Sequence, residues 1–305
     1  MDQGNQANAG QVILIGGDSR AARAIVTRLP GYSIVSIVRR DPADEGRIVV
    51  SDYAEPPVGL ISAGSVVINC VGTPAGDAAT LQRVNVDVPR RWAAAARDAG
   101  AKLFIHLSSL SVYGASTLID GNTPIRPISA YGRSKEQAER ALTNIARDGL
   151  SLVMLRIPIL VGKYGKDRLG TLISLCRRLQ AVPAVLQPVE RSMLSYDGLA
   201  ACVAFVIMSE ATNRTVVVAD PDPFTYDTIL AAARTNGVKM ASIAIPAWSI
   251  VLLRRLAPAM AQRLFMSSRV SDDDNFAIQA LPFERVATIV GAAFVDTPFS
   301  SQLDS

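Results

Sequence analysis

The first half of the chain alternates short apolar runs with longer stretches whose apolar positions recur every three to four residues. QVILI (11–15) is a continuous apolar run, as a parallel strand covered on both faces requires. Ser19 to Leu29 then sets Ala22, Ile25, Val26 and Leu29 on one helical face. Further strands are predicted at 33–38, 47–51, 65–71, 102–107 and 152–156, with helices at 80–99 and 134–148. Strand–helix alternation of this kind predicts an α/β fold: a Rossmann-type, doubly wound parallel sheet with helices on both faces. Right-handed crossovers gather the loops after the strands on one edge, where ligands bind.

The pattern loosens near Gly162. Helices are predicted at 169–179, 196–209 and 226–236, with a strand at 215–219. The expected division is a dinucleotide-binding domain over 10–162 and a smaller substrate lobe over 163–305, partly interleaved with the first. The longest nearly apolar stretch, 240–253, is fourteen residues interrupted by Pro246 and runs on into Arg254, Arg255 and Arg263. It is short of the ~20 residues a spanning helix needs. Two readings remain, an interfacial membrane helix and a buried helix of the second lobe. The buried one is preferred, because nothing else in the chain points to a membrane.

Composition narrows the chemistry. The chain has 305 residues, 49% of them hydrophobic and 19% charged, which excludes a disordered protein. Three cysteines (Cys70, Cys176, Cys202) in apolar surroundings read as buried free thiols of a reducing compartment. A single histidine, His106, rules out a multi-histidine zinc site. Net charge is +4 with no basic run, so no nucleic-acid partner is expected. The polar N-terminus lacks the apolar region of a signal peptide, and a cytoplasmic location is expected.

Two motifs carry chemistry. After the first strand, Gly16-Gly17-Asp18-Ser19-Arg20-Ala21-Ala22 offers a tight turn into a helix whose N-terminus favours a pyrophosphate. Ser19 and Ala22 stand where a full fingerprint has glycines, so alone the turn is a weak signal. Arg39 ends the second strand where an arginine accommodates a 2′-phosphate, so NADP(H) is preferred over NAD(H). Asp52, after the third strand, is placed to meet the adenine amino group. The second motif is Tyr131-Gly132-Arg133-Ser134-Lys135, in which tyrosine and lysine four apart share a helix face. A nearby ammonium is expected to lower the phenol pKa from about 10, letting tyrosine exchange a proton with a substrate oxygen. Ser108 and Ser109 follow the fifth strand on the ligand edge.

In that order, these pieces resemble an extended short-chain dehydrogenase/reductase of the NAD-dependent epimerase/dehydratase group. The resemblance rests on VILIGGDSRAA (12–22), NCVGTP (69–74), FIHLSSLSVYG (104–114), SAYGRSKEQAERAL (129–142), LRIPILVGKYG (155–165) and ERSMLSYDGLAACV (190–203). It implies Tyr131 as acid/base, Lys135 holding the nicotinamide ribose, and Ser109 as the catalytic serine with Ser108 lining the site. It also implies cofactor contacts at Gly16, Ser19, Arg20, Val71, Gly72, Asn85 and Pro158. Arg191 matches the arginine that grips the diphosphate of a nucleotide-sugar. The 22-residue step from Ser109 to Tyr131 is short for the family and implies a trimmed loop over the substrate.

The layout is similar to nucleotide-sugar 4-epimerases and 4-keto-reductases of surface-polysaccharide synthesis. The expected partners are therefore a small-molecule substrate, a UDP-sugar, and a second copy of the chain in a homodimer, with no membrane span. Two other readings stay open. One is an NADPH-dependent reductase of a hydrophobic ketone, suggested by VRRDP (38–42) and the apolar 246–265 region. The other is a non-catalytic nucleotide-binding scaffold on the same fold.

Overall fold

The computed structural model describes residues 10–40, 46–162, 168–185, 188–210, 212–257 and 265–295. Asp41, Met260, Arg263 and Leu264 lie outside the described residues, as does the side chain of Arg254.

Seven parallel strands form the central sheet: β1 (Gln11–Ile15), β2 (Ser33–Val38), β3 (Arg47–Val49), β4 (Val66–Asn69), β5 (Leu103–Ser109), β7 (Leu152–Ile157) and β11 (Arg214–Val217). Their order is β11-β7-β5-β4-β1-β2-β3, so the winding of the sheet reverses between β1 and β4. The protein therefore has the Rossmann-type doubly wound fold, with its crevice beside β1 at the carboxyl edge. Val12, Ile13, Leu14 and Ile15 have no exposed surface, because side chains of both parities meet helices. On one face, α1 (Arg20–Thr27) packs beside α6 (Tyr196–Met208). On the other lie α3 (Val88–Asp98) and α4 (Ala130–Ala146), which bury Trp92, Ala93, Ala96 and Leu142.

Two elements of the second half, α6 and β11, thus complete the first domain's layers. Arg28, the C-cap of α1, grips Asp197 on α6 with two hydrogen bonds of 2.8 and 2.6 Å. The rest of the second half has its own core, built from α5 (Arg168–Leu179), α7 (Tyr226–Thr235) and α9 (Val286–Val295). The loop between β5 and α4 carries β6 (Leu118–Ile119), which pairs with β13 (Arg269–Val270) of the lobe. The short loop is thereby tied to the lobe.

The structure departs from the sequence reading at three places. The helix predicted at 80–99 is instead α2 (Ala78–Leu81), a π-helical turn over Gln82–Asp87, and α3. The helix predicted from 134 starts at Ala130, because the Ser129 hydroxyl accepts the Gly132 amide at 2.9 Å and caps it. The third is the apolar stretch read as buried. There, β12 (Ala241–Ala244) and α8 (Ala247–Leu256) leave Ile243, Trp248, Val251, Leu252 and Leu256 exposed, since no described element packs over that face.

Candidate active site

At the end of β1 the chain turns through Gly16, whose φ of 81° a side chain would strain. A Cβ on Gly17 would stand 2.6 Å from that of Ser36, so β2 can pass only a glycine here. The reading of the motif singled out Gly16 and missed Gly17; the doublet itself was the available signal. Both amides donate to Ile37 O at 3.0 Å, which locks the turn. Ser19 turns its hydroxyl back to accept the Ala22 amide at 3.1 Å, acting as N-cap of α1. The glycine-to-serine departure is thus absorbed by helix capping. Arg20 is exposed and lines a separate hollow with Arg23, Tyr196 and Asp197.

Arg39 is exposed at the end of β2, its guanidinium 5.7 Å from the Tyr53 ring centre. Asp52 accepts the Ala54 amide at 2.9 Å and pairs with Arg83, and these contacts hold its carboxyl below the usual range. Val71 and Gly72 follow β4. A Cβ on Gly72 would lie 3.4 Å from Lys135 Nζ, so the chain passes close over that ammonium. Asn85, fully buried on the π-helical turn, accepts the Thr73 amide at 2.8 Å and donates to Thr73 O and Ser134 Oγ, both at 2.9 Å. It fastens the post-β4 loop to α4. These residues form a cradle at the switch point that fits a dinucleotide: a side-chain-free turn, the N-terminus of a capped helix, and a cation at the end of β2.

At the end of β5 the two serines part company. Ser109 faces a cavity of about 340 Å³ that Tyr131, Pro158 and Arg191 also line. Ser111 donates to Ser109 Oγ through both its amide (3.2 Å) and its hydroxyl (3.0 Å). With two donors on the oxygen, the Ser109 proton is left for the Tyr131 oxygen. Ser111 was not among the residues singled out from the sequence. Ser108 corrects the expectation that it lines the site: it is 1% exposed, and its hydroxyl donates to Glu139 at 2.5 Å. Successive strand residues face opposite sides, and the parity that serves Ser109 turns Ser108 inward. Glu139 is held by Arg156 at 3.0 and 2.7 Å, and Arg156 reaches Tyr113 Oη at 2.7 Å.

Burial raises the Tyr131 pKa, opposed by its hydrogen bond to Ser109. This corrects the expectation of a lysine-lowered phenol: burial and not the ammonium sets the direction, and Lys135, itself buried, donates to Leu107 O at 2.7 Å. Burial pulls the Lys135 pKa down to about 8. His106 is fully buried beside Lys135, and its pKa falls well below 6.5 through burial and then that ammonium. Asn69 Nδ2 lies 3.0 Å from His106 Nδ1. The Val71 amide at 3.3 Å from Asn69 Oδ1 fixes that amide's orientation, so Nδ1 accepts and Nε2 carries the proton. Arg191 donates to Met266 O at 3.0 Å, and burial lowers its pKa.

A parallel sheet with its ligand crevice beside β1, and a serine–tyrosine pair over a buried lysine, define a short-chain dehydrogenase/reductase architecture. The sequence model of the NAD dependent epimerase/dehydratase family matches residues 12–208, and the chain belongs to that family. UDP-glucose 4-epimerase of Vibrio cholerae is 28% identical over 188 residues, 58% of this chain and 57% of that protein. The chain thus spans less than two thirds of that relative's length. Among solved structures, UDP-glucuronic acid 4-epimerase from Bacillus cereus in complex with NAD superposes with a TM-score of 0.69 at 14% identity, covering 93% of this chain and 95% of that one. MoeE5 in complex with UDP-glucose and NAD gives 0.60 at 20%, covering 89% and 97%. At those identities the two structures share the fold.

Proposed function

We propose that the protein is an NADP(H)-preferring oxidoreductase acting at C4 of a nucleotide-sugar, working in the reductive direction. The observation that carries this is the single cavity shared by Ser109, Tyr131, Pro158 and Arg191. It offers a proton donor at one wall and a cation at another, as a sugar bearing a diphosphate requires. Names among the similar proteins point the same way: a UDP-glucose 4-epimerase and a protein bound to UDP-glucose and NAD.

The cradle of Gly16, Gly17, Ser19, Val71, Gly72 and Lys135 would hold the dinucleotide, with Arg39 receiving a 2′-phosphate. When bound, nicotinamide supplies the hydride. The chain's own groups manage the oxygen. Ser109, its lone pairs occupied by Ser111, turns its one proton from the Tyr131 oxygen to the substrate carbonyl oxygen and fixes its position. Tyr131, kept protonated by burial, is the acid that delivers a proton to that oxygen. Lys135 stays on the Leu107 carbonyl and offers its remaining donors to the ribose hydroxyls. Arg191 draws the diphosphate toward the lobe.

A second reading keeps the same acid and replaces the sugar by a hydrophobic ketone. Leu110, Ile157, Ile159 and Met266 on the cavity wall favour it, as does the Arg191 bond to Met266 O. The two separate on Arg191→Ala. For a nucleotide-sugar reductase the KM for UDP-4-keto-sugar rises about 10- to 100-fold with kcat little changed. A variant that reduces the UDP-sugar with unchanged KM overturns the diphosphate role. Denaturing the purified protein and weighing any released nucleotide checks the direction: tightly held NAD+ would point to an epimerase instead.

A further inference from the structure

We propose that α8 and the strand before it dock the protein on an anionic phospholipid surface, lying in the membrane interface without crossing it. No described helix is long and apolar enough to span a bilayer. Trp248, Val251, Leu252, Arg255 and Leu256 follow the i, i+3, i+4, i+7, i+8 spacing and so share one face of α8. That face points to solvent: Trp248 is 69% and Leu256 76% exposed, with Val251 and Leu252 near half. Ile243 on the neighbouring β12 is also exposed. A contiguous apolar face of this kind calls for a partner.

Charge says which partner. From Thr228 to Ser271 there is no Asp or Glu but six Lys/Arg, while the rest of the chain has 25 Lys/Arg against 27 Asp/Glu. Of the six, Arg269 is paired with Glu190 and Asp272 from outside the segment, and the other five have no carboxylate within it. Arg234, Lys239 and Arg255 are exposed, and no carboxylate pairs with them among the described residues. A self-complementary dimer face would bring these cations together. An anionic bilayer instead takes the cations at its headgroups and the apolar face at the acyl boundary, with an indole suited to the interface.

The full-length protein is mixed with vesicles of phosphatidylcholine alone or with 30% phosphatidylglycerol. The expected result is co-sedimentation with the anionic vesicles only, weakened by salt. Emission from Trp248 should shift to the blue; the other tryptophan, Trp92, is buried with its N–H on Tyr53 O and stays silent. The double variant Trp248→Ala, Leu252→Gln should abolish sedimentation. Arg255→Gln should weaken it about fivefold, as one headgroup charge contact implies, whereas exposed Arg90→Gln on α3 should leave it unchanged. All three variants should keep the parent's melting temperature, since each removes exposed groups. Failure to sediment with anionic vesicles, or equal binding to both compositions, overturns the proposal. So does a vesicle-free dimer that Leu252→Gln dissociates.

Discussion

The two ends of the candidate site are built by opposite means. At the β1 turn the work falls to backbone: two glycines clear a path, their amides lock onto Ile37, and Ser19 spends its side chain capping α1. At the end of β5 it falls to side chains: Ser109, Ser111, Tyr131 and Lys135, each held by a named hydrogen bond or by burial. A backbone-built end tolerates a change of residue type as long as the chain still passes, which is why serine replaces glycine at 19. A side-chain-built end tolerates none, because the reacting proton resides on one particular atom.

The largest expected effect falls on the side-chain end. Tyr131→Phe should lower turnover about a thousandfold, as loss of a positioned acid does, with cofactor affinity within about twofold of the parent. A variant turning over at the parent rate would erase the contrast between the two ends. Next is Arg39→Ala, which should weaken NADPH about tenfold and NADH hardly at all, read by titrating cofactor fluorescence. Equal losses would remove the 2′-phosphate role. Gly17→Ala tests the backbone end alone. Its methyl meets Ser36, and a stability loss of about 1–3 kcal/mol in urea unfolding is expected, with kcat on the remaining folded protein unchanged.

Two further effects are in pH dependence. Lys135 has a folded pKa of about 8 against 10.5 unfolded. Between those values the unfolded chain binds more protons, so stability rises with pH across that window. The parent-minus-Lys135→Met difference in unfolding free energy should climb from pH 8 to 10.5. His106 acts at the other end: its folded pKa is lowered, so its contribution is present above pH 6.5 and is lost as pH falls below that value. His106→Gln should flatten the acid side of the profile.

The sheet was legible because strands covered on both faces must be apolar throughout, as QVILI is. The tyrosine–lysine pair was legible because its spacing matches one helix face. Ser108 was not, because two adjacent serines at a strand end look alike in sequence, and only the partner across the strand decides which turns inward. Here the partner is Glu139, far along the chain and already committed to Arg156. The Tyr131 pKa was misread because spacing reports proximity to Lys135 but not the depth of burial. The exposed α8 was misread for a related reason: an apolar stripe states that a helix needs a nonaqueous neighbour, not that the neighbour belongs to the same chain.

The π-helical turn at Gln82–Asp87 bears on how this chain can change in length. Such a turn holds more residues than the α-helical turn it interrupts. The wider turn absorbs the extra residue, so α3 keeps its angular register on the sheet, as a regular helix one residue shorter would. Deleting one residue within 82–87 would leave Trp92 and Ala96 facing the core and would be felt at Asn85, whose bonds to Thr73 and Ser134 are made from the bulge itself. A single-residue deletion across 82–87 should therefore spare the helix and the core behind it, and cost the link by which Asn85 ties the post-β4 loop to α4.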